Sequence, residues 1–267
     1  MHPIFDFDGL VKHRERAVPL VGQVRPVLEE LGERLLERLG DTPRRFATAL
    51  DFGGRGVIAP ALLARGMAVT SADFCPALAA QAGGTPLALP SPQDFGLPEA
   101  AYDLVVAHLS LHMLDDLPGA LIQLKRALTP GGLFLATLPV LGTLQELREA
   151  LLEAEEALTG GVSPRVAPFP ALSDAAGLLQ RAGFLAPVAD VEDIAFLYAN
   201  PLALLHELRA AGETNALTAR SRSIPPRALF PAALAALPQA QGRSKVTLRL
   251  AVLTGWAPEP LIAAPPS

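Results

Sequence analysis

The sequence predicts an α/β fold with a mostly parallel sheet and helices on both of its faces. Apolar strand segments alternate with amphipathic helical segments between residues 47 and 138, and such alternation produces right-handed crossovers and a doubly wound sheet. Residues 102–112 are apolar along most of their length, which is typical of a strand buried on both faces of a parallel sheet. Residues 245–256 alternate between apolar and polar side chains, which indicates a final strand.

Composition limits the class of protein. The chain has 267 residues, enough for one large domain with a sizeable core. Its net charge of −5 with scattered basic residues gives no electrostatic footprint for nucleic acid. No apolar run approaches the roughly 18 residues of a membrane span, and residues 1–17 lack the apolar core of a secretion signal. Because Cys75 is the only cysteine, neither an intrachain disulfide nor a Cys-based zinc site is expected, and the cytoplasm is the expected compartment.

The predicted organisation has four parts. Residues 1–45 form an N-terminal helical segment that includes an amphipathic helix over residues 18–39, and residues 46–257 form the α/β domain, with a helical and loop insertion around residues 140–240. Residues 258–267 lack a core-forming pattern and are expected to be a flexible tail. We interpret the basic cluster at residues 12–16 as a solvated helix face, with binding of an acidic partner as the alternative.

A strand, a glycine turn and a helix form a candidate nucleotide-cofactor unit. The strand ends at Phe52, the turn contains Gly53, Gly54 and Gly56, and a second strand ends at Asp73. Glycines let the backbone approach a ligand, and the start of the helix presents free N–H groups to a polar or anionic group. An acid that ends the second strand can accept both hydroxyls of a ribose. The alternative is a structural turn that needs glycine although nothing binds there.

Polar residues collect where the fourth strand ends, the edge at which ligand loops lie in such sheets. His108, Ser110 and His112 would point the same way if the strand ran on. His112 is the candidate base or substrate-orienting group, because imidazole titrates near neutrality. Alternatively, either histidine caps the strand end or the following helix. His108, His112 and Asp115 could also be imagined as an iron site, but a spacing of four suits a helix rather than a strand, so no metal is predicted.

Two sets of motifs carry a family resemblance. LDFGGRGVIA, SADF and YDLVVAHLSLHMLDDLPGALIQLKRALTPGGLFLATL resemble the class I S-adenosylmethionine-dependent methyltransferases. SLHMLDDLPGAL, TLQELREALLEAE, GGVSPRVAPF, LLQRAGF and VLTGW are similar to the mitochondrial complex I assembly factor 5 family and its bacterial relatives. The resemblance covers nearly the whole chain, and the GGVSPRVAPF loop is its most specific part.

The resemblance implies a fold, a cofactor and a function. The fold is a Rossmann-like, seven-stranded sheet in which residues 245–256 are inserted antiparallel. The cofactor is S-adenosylmethionine, and the function is that of a methyltransferase-like relative of a complex I assembly factor, acting on a small molecule or on a protein such as a respiratory complex subunit. A protein arginine hydroxylase or assembly factor, and a non-catalytic binding module, are the alternatives. The implied cofactor-binding residues are Asp51, Gly53, Gly54, Gly56, Asp73, Phe74, Ser91 and His108.

The sequence departs from the family pattern at two places. The glycine turn after Asp51 is one residue shorter than the usual Asp-x-Gly-x-Gly-x-Gly. The position of the acid that contacts adenine in the family falls on Ser91, whose hydroxyl is a weaker acceptor than a carboxylate, although Asp94 lies three residues on. We therefore expect S-adenosylmethionine to bind weakly, or only in the presence of a partner.

Overall fold

A twisted, mostly parallel sheet forms the centre of the molecule. The computed structural model describes residues 2–259, except for the side chains of residues 172–174. The strand order is β3-β2-β1-β4-β5-β8-β6, and the short β7 pairs with β8. The strands are β1 Thr48–Phe52, β2 Ala68–Asp73, β3 Thr85–Ala88, β4 Tyr102–His108, β5 Leu128–Pro139, β6 Leu185–Tyr198, β7 Gln239–Ala240 and β8 Arg243–Trp256.

The last long strand lies inside the sheet and runs against its neighbours. Strands β1 to β5 pair in parallel, whereas β8 is antiparallel to both β5 and β6. The expected seven-stranded order with an inserted antiparallel strand is thus confirmed, and the two-residue β7 is an addition to it. Because β1 to β5 are parallel, their carboxyl ends meet along one edge of the sheet, where the glycine turn, Asp73 and His108 lie.

Helices cover both faces of the sheet. Leucines and Ile58 from α2 and α3 pack on one face, and α5 and α7 pack with Phe134 and Leu138 on the other. Helices α6, α8 and α9 form a separate apolar cluster beside the ends of β6 and β8. The helices are α1 Phe7–Ala17, α2 Arg25–Glu37, α3 Ile58–Leu63, α4 Pro76–Gln81, α5 Leu117–Ala127, α6 Gln145–Thr159, α7 Leu172–Arg181, α8 Leu202–Ala210 and α9 Leu229–Ala235.

The helix expected over residues 18–39 is shorter in the structure. A single 3-10 turn spans Val21–Gln23, and α2 begins only at Arg25. Pro26 lies in the first turn of α2, where its missing N–H does not matter, but a helix continuing from residue 18 would have needed that donor. In the described part of the chain no helix is both long and apolar enough to cross a membrane. Of the tail expected at residues 258–267, residues 260–267 lie outside the described residues.

Candidate functional site

The glycine turn after β1 is tightly packed. Gly53 has a left-handed backbone with φ of 69°, and a Cβ added there would lie 2.6 Å from the Cβ of Ser110. Asp51 turns toward α3, where its Oδ2 accepts a hydrogen bond of 3.2 Å from the N–H of Ala59. Burial outweighs that hydrogen bond and raises the pKa of Asp51 to about 7. Asp51 therefore fixes the start of α3 rather than facing an open cleft.

Arg55 lies within the shortened glycine turn and is buried. Arg55 has a left-handed φ of 51°, a conformation uncommon for a residue with a Cβ. Its guanidinium donates to the carbonyl of Leu109 at 3.0 Å and forms an ion pair with Glu213, which in turn accepts a hydrogen bond of 2.9 Å from Nε2 of His112. Burial and the charge of nearby Arg14 lower the pKa of Arg55 to about 10, so the group stays cationic at neutral pH.

Both carboxylate oxygens of Asp73 already have partners. Oδ2 lies 3.5 Å from the guanidinium of Arg14, a residue of α1, and the two side chains are each only 4% exposed. Oδ1 accepts a hydrogen bond of 2.8 Å from the N–H of Cys75. A ribose could reach this carboxylate only if the side chain of Arg14 moved away.

Phe74, the residue expected to face adenine, is also covered by α1. The ring of Phe7 meets it edge-on at a centroid distance of 5.0 Å. Phe52 and Phe95 contact the same ring at 6.0 and 5.8 Å. Phe7 and Arg14 are seven residues apart, so they lie on one face of α1 and together cover both residues that would bind the nucleoside. In this arrangement the cleft does not fit the cofactor.

The role of α1 is the main feature that sequence reasoning missed. The basic cluster at residues 12–16 is solvated at Lys12 and Arg16, but for Arg14 that interpretation is wrong, since only 3% of the residue is exposed. A signal was present in the sequence. Leu10, Arg14 and Ala17 follow the three-and-four spacing of a buried helix face, and Arg14 is the cationic residue within it.

Two residues expected at the cofactor have other contacts. Nδ1 of His108 lies 2.9 Å from the hydroxyl of Thr137, and Nε2 lies 3.1 Å from the carbonyl oxygen of Leu28 in α2. Burial and the charge of Arg55 lower the pKa of His108 to about 3, so it is neutral. Ser91 bonds within its own turn, where its hydroxyl accepts from the N–H of Asp94 at 3.0 Å.

The polar residues that follow β4 separate rather than align. Leu109 has a left-handed φ of 51°, which ends the strand and breaks its alternation. Consequently His108 faces α2, Ser110 donates to the carbonyl of Phe52 at 2.7 Å, and His112 bonds to Glu213. Asp115 accepts backbone hydrogen bonds from Ile4 and Phe5, at 2.8 and 3.1 Å. The structure therefore does not bring His108, His112 and Asp115 together.

His112 lies on the wall of a large chamber that is partly open to solvent. The chamber has a volume of about 520 Å³ and lies between the sheet edge and the cluster formed by α6, α8 and α9. Arg55 and Glu213 reach it from the turn and from the segment after α8, whereas Gly53, Asp73, Phe74, Ser91 and His108 do not line it. Its apolar wall includes Leu28, Leu147, Leu151, Phe169, Phe196 and Leu208.

Comparisons with known proteins agree with this fold. A methyltransferase domain family model matches residues 23–185. The chain is 37% identical over 193 residues to human arginine-hydroxylase NDUFAF5, mitochondrial, covering 70% of this chain and 56% of that protein. It is 31% identical over 247 residues to the protein of the same name from Danio rerio, covering 89% of this chain and 77% of that one. The solved structure of YcgJ from Bacillus subtilis aligns with a TM-score of 0.57 at 11% identity, over 84% of this chain and 98% of that one.

The strand order and the antiparallel insertion define the class I methyltransferase fold, and the YcgJ likeness supports the fold alone. The chain belongs to the methyltransferase-domain family and, within it, to the relatives of arginine-hydroxylase NDUFAF5. The match spans just over half of the human protein's length.

Proposed function

We propose that this chain is a methyltransferase-like protein that binds S-adenosylmethionine in a cleft that α1 can cover. The proposal rests on two contacts made by α1. Arg14 pairs with Asp73, and Phe7 packs on Phe74, so both residues proposed to bind the nucleoside are covered. The cofactor can then enter only if α1 moves. Either the binding energy of the cofactor offsets the free energy of closure, or a partner protein binds α1 and holds it away from the cleft. The apparent affinity is reduced by the fraction of molecules that are closed.

The residues that line the cleft each have a role in this proposal. Asp73 receives the ribose hydroxyls once Arg14 leaves, and Phe74 packs against adenine once Phe7 leaves. Gly53, Gly54 and Gly56 let the backbone approach the ligand, while Asp51 holds the start of α3. Ser91 and Asp94 shape the adenine side of the cleft.

His112 remains the proposed acid–base or orienting group for a substrate in the chamber. Its Nε2 is held by Glu213, and its buried Nδ1 has no hydrogen-bond partner among the described residues. His108 is proposed to act indirectly, by fixing α2 against the end of β4 through its bond to Leu28.

Calorimetric titration with S-adenosylmethionine and with S-adenosylhomocysteine tests the cleft. We expect weak binding by the unmodified chain. In the Arg14→Ala background, where the cover on Asp73 is already removed, Asp73→Asn should weaken binding at least tenfold, because an amide cannot accept two charge-assisted bonds. Glu99→Gln, at an exposed acid just before β4, is the matched control in the same background and should change the affinity by much less. Equal affinity of Arg14→Ala with and without Asp73→Asn would place the nucleoside elsewhere.

A second candidate function is favoured by the relatives, which are named arginine-hydroxylase and resemble this chain over most of its length. In that case the substrate is an arginine of a protein, such as a respiratory complex subunit, and the chain acts during assembly of the complex. Incubation with candidate subunits followed by mass spectrometry separates the two candidates, since one adds a methyl group and the other adds oxygen. The cytoplasm is the proposed compartment, and a single buried cysteine, Cys75, is compatible with it.

A further inference from the structure

The chamber has the size and the lining of a ligand site. Its volume of about 520 Å³ falls within the range of roughly 300 to 1,000 Å³ that is usual for small-molecule pockets. Leucine and phenylalanine side chains from four helices and two strands form most of its wall. An apolar body would therefore be stabilised there by burial.

Arg55, Glu213 and His112 form a hydrogen-bonded cluster at one end of this chamber, here called its inner end. Glu213 places its carboxylate between the guanidinium of Arg55 and the ring of His112, with the His112 contact at 2.9 Å. Although burial acts in the opposite direction, the charges of His112 and Arg55 lower the pKa of Glu213 to about 2. The protein thus already holds one carboxylate, its own, at the point where Arg55 and His112 converge.

Two nitrogen atoms at this end remain without hydrogen bonds. The Nε atom of Arg55 and Nδ1 of His112 are buried and have no partner among the described residues. The arginine side chain is only 2% exposed and that of the histidine 5%, so water does not satisfy them readily. Buried polar atoms of this kind normally have a partner, and Arg55 Nε needs an acceptor.

The position of Glu213 would allow its side chain to move away from Arg55 and His112. It belongs to the segment that follows α8, it comes directly after Gly212, whose φ is 78°, and its side chain is 19% exposed, far more than those of Arg55 and His112. A short rotation of this segment would bring Glu213 into water and leave the Arg55 guanidinium and the His112 ring facing the chamber without that carboxylate.

We infer that the chamber binds an amphipathic carboxylate: an aliphatic or ring body lies among the apolar side chains, and the carboxylate of the ligand replaces that of Glu213 on Arg55 and His112. The inference goes beyond the proposed function, because it requires neither an open cofactor cleft nor turnover. An ammonium ligand suits the chamber less well. The two acids on its wall are already engaged, Glu213 by Arg55 and His112, and Glu207 by the hydroxyl of Tyr198 at 2.6 Å.

Binding of three probes of equal chain length to the full chain tests the inference. Calorimetry would compare dodecanoate, dodecanol and dodecylammonium below their micelle concentrations. We expect dodecanoate to bind at least tenfold more tightly than the other two, because only it supplies a negatively charged acceptor to Arg55 and His112. Equal or weaker binding of dodecanoate, or no binding, would overturn the inference.

Substitution of the competing carboxylate gives the sharper result. Glu213→Gln should tighten dodecanoate binding several-fold and leave dodecanol unchanged, since the neutral amide is displaced more easily from Arg55 and His112. Arg55→Met should weaken dodecanoate alone. If Arg55→Met does not fold, Glu213→Gln alone still tests the inference. An unchanged or weaker affinity of Glu213→Gln for dodecanoate would contradict the proposed displacement.

A second pair of variants tests whether the apolar part of the ligand binds in the chamber. Leu205→Trp fills part of the chamber and should weaken dodecanoate and dodecanol alike by about tenfold or more. Leu63→Trp makes the same change at an exposed residue of α3 outside the chamber, and it should have no effect. Similar affinities for both variants would show that the probes bind elsewhere on the surface.

Discussion

At the scale of single residues, the proposed closure of the cofactor cleft depends on the ion pair between Arg14 and Asp73. Both side chains are nearly fully buried, and their closest N–O distance is 3.5 Å, longer than a good charge-assisted hydrogen bond. In addition, the Nε atom of Arg14 has no partner among the described residues. A buried pair with imperfect geometry recovers its desolvation cost only in part. Closure is therefore expected to be weak enough for a ligand or a partner to reverse it.

His108 is a structural residue whose protonation should make the fold sensitive to acid. The carbonyl of Leu28 can only accept, so Nε2 carries the proton and Nδ1 accepts from the Thr137 hydroxyl. Burial lowers the pKa of His108 from 6.5 to about 3. Between these values the unfolded chain binds a proton that the folded chain does not. Stability supplied by the neutral ring is therefore complete above pH 6.5 and is lost progressively as the pH falls toward 3.

Substitution of His108 should reduce this pH dependence. Urea unfolding at pH 7 and pH 5 should show the unmodified chain losing about 1 kcal/mol or more at the lower pH, and His108→Gln losing less. His13, whose pKa is also lowered chiefly by burial, contributes in the same direction, so the variant is expected to keep part of the slope. His2→Gln, at an exposed residue, serves as the control. An identical loss of unfolding free energy in His108→Gln and the unmodified chain would show that folding does not lower the pKa of His108.

At the scale of elements, α1 links the cofactor cleft to the chamber. Asp6 caps the helix through a bond of 3.0 Å from the N–H of Gly9, and it pairs with Arg220 at 2.6 Å. Just before the helix, the N–H of Asp6 donates to the carbonyl of Ala216 at 2.7 Å. The residues that fasten α1 therefore lie a few positions after Glu213, so displacement of α1 is expected to disturb the inner end of the chamber as well.

Removal of the cap should loosen both elements together. Asp6→Ala loses the helix cap and the pair with Arg220, a cost of about 1 to 2 kcal/mol, and hydrogen exchange should become faster in α1 and in residues 213–220. Asp8→Ala changes an exposed acid in the first turn of the same helix and should leave the exchange of residues 213–220 unchanged. Faster exchange confined to α1 in Asp6→Ala would show that the two elements are not coupled.

At the scale of the whole molecule, the sequence predicts the fold well. It predicts the arrangement of the covered site only in part. Strand periodicity and the glycine turn depend on local pattern, and they located the sheet, the turn and Asp73 correctly. The left-handed Leu109, which separates His108 from Ser110, and the arrival of Arg14 on Asp73 depend on how distant segments pack. Arg14 and Asp73 are 59 residues apart, and no local pattern predicts such a contact.

The most direct test of the account is the affinity of S-adenosylhomocysteine for Arg14→Ala, measured by calorimetry beside the unmodified chain and Arg16→Ala. Arg16 is exposed on the same helix, so its substitution controls for the loss of one positive charge. If Arg14 closes the cleft, its removal frees Asp73 and should tighten binding about tenfold, while Arg16→Ala changes little. Weaker or unchanged binding in Arg14→Ala would contradict closure by α1 and would indicate that Arg14 belongs to the binding site itself or has no part in it.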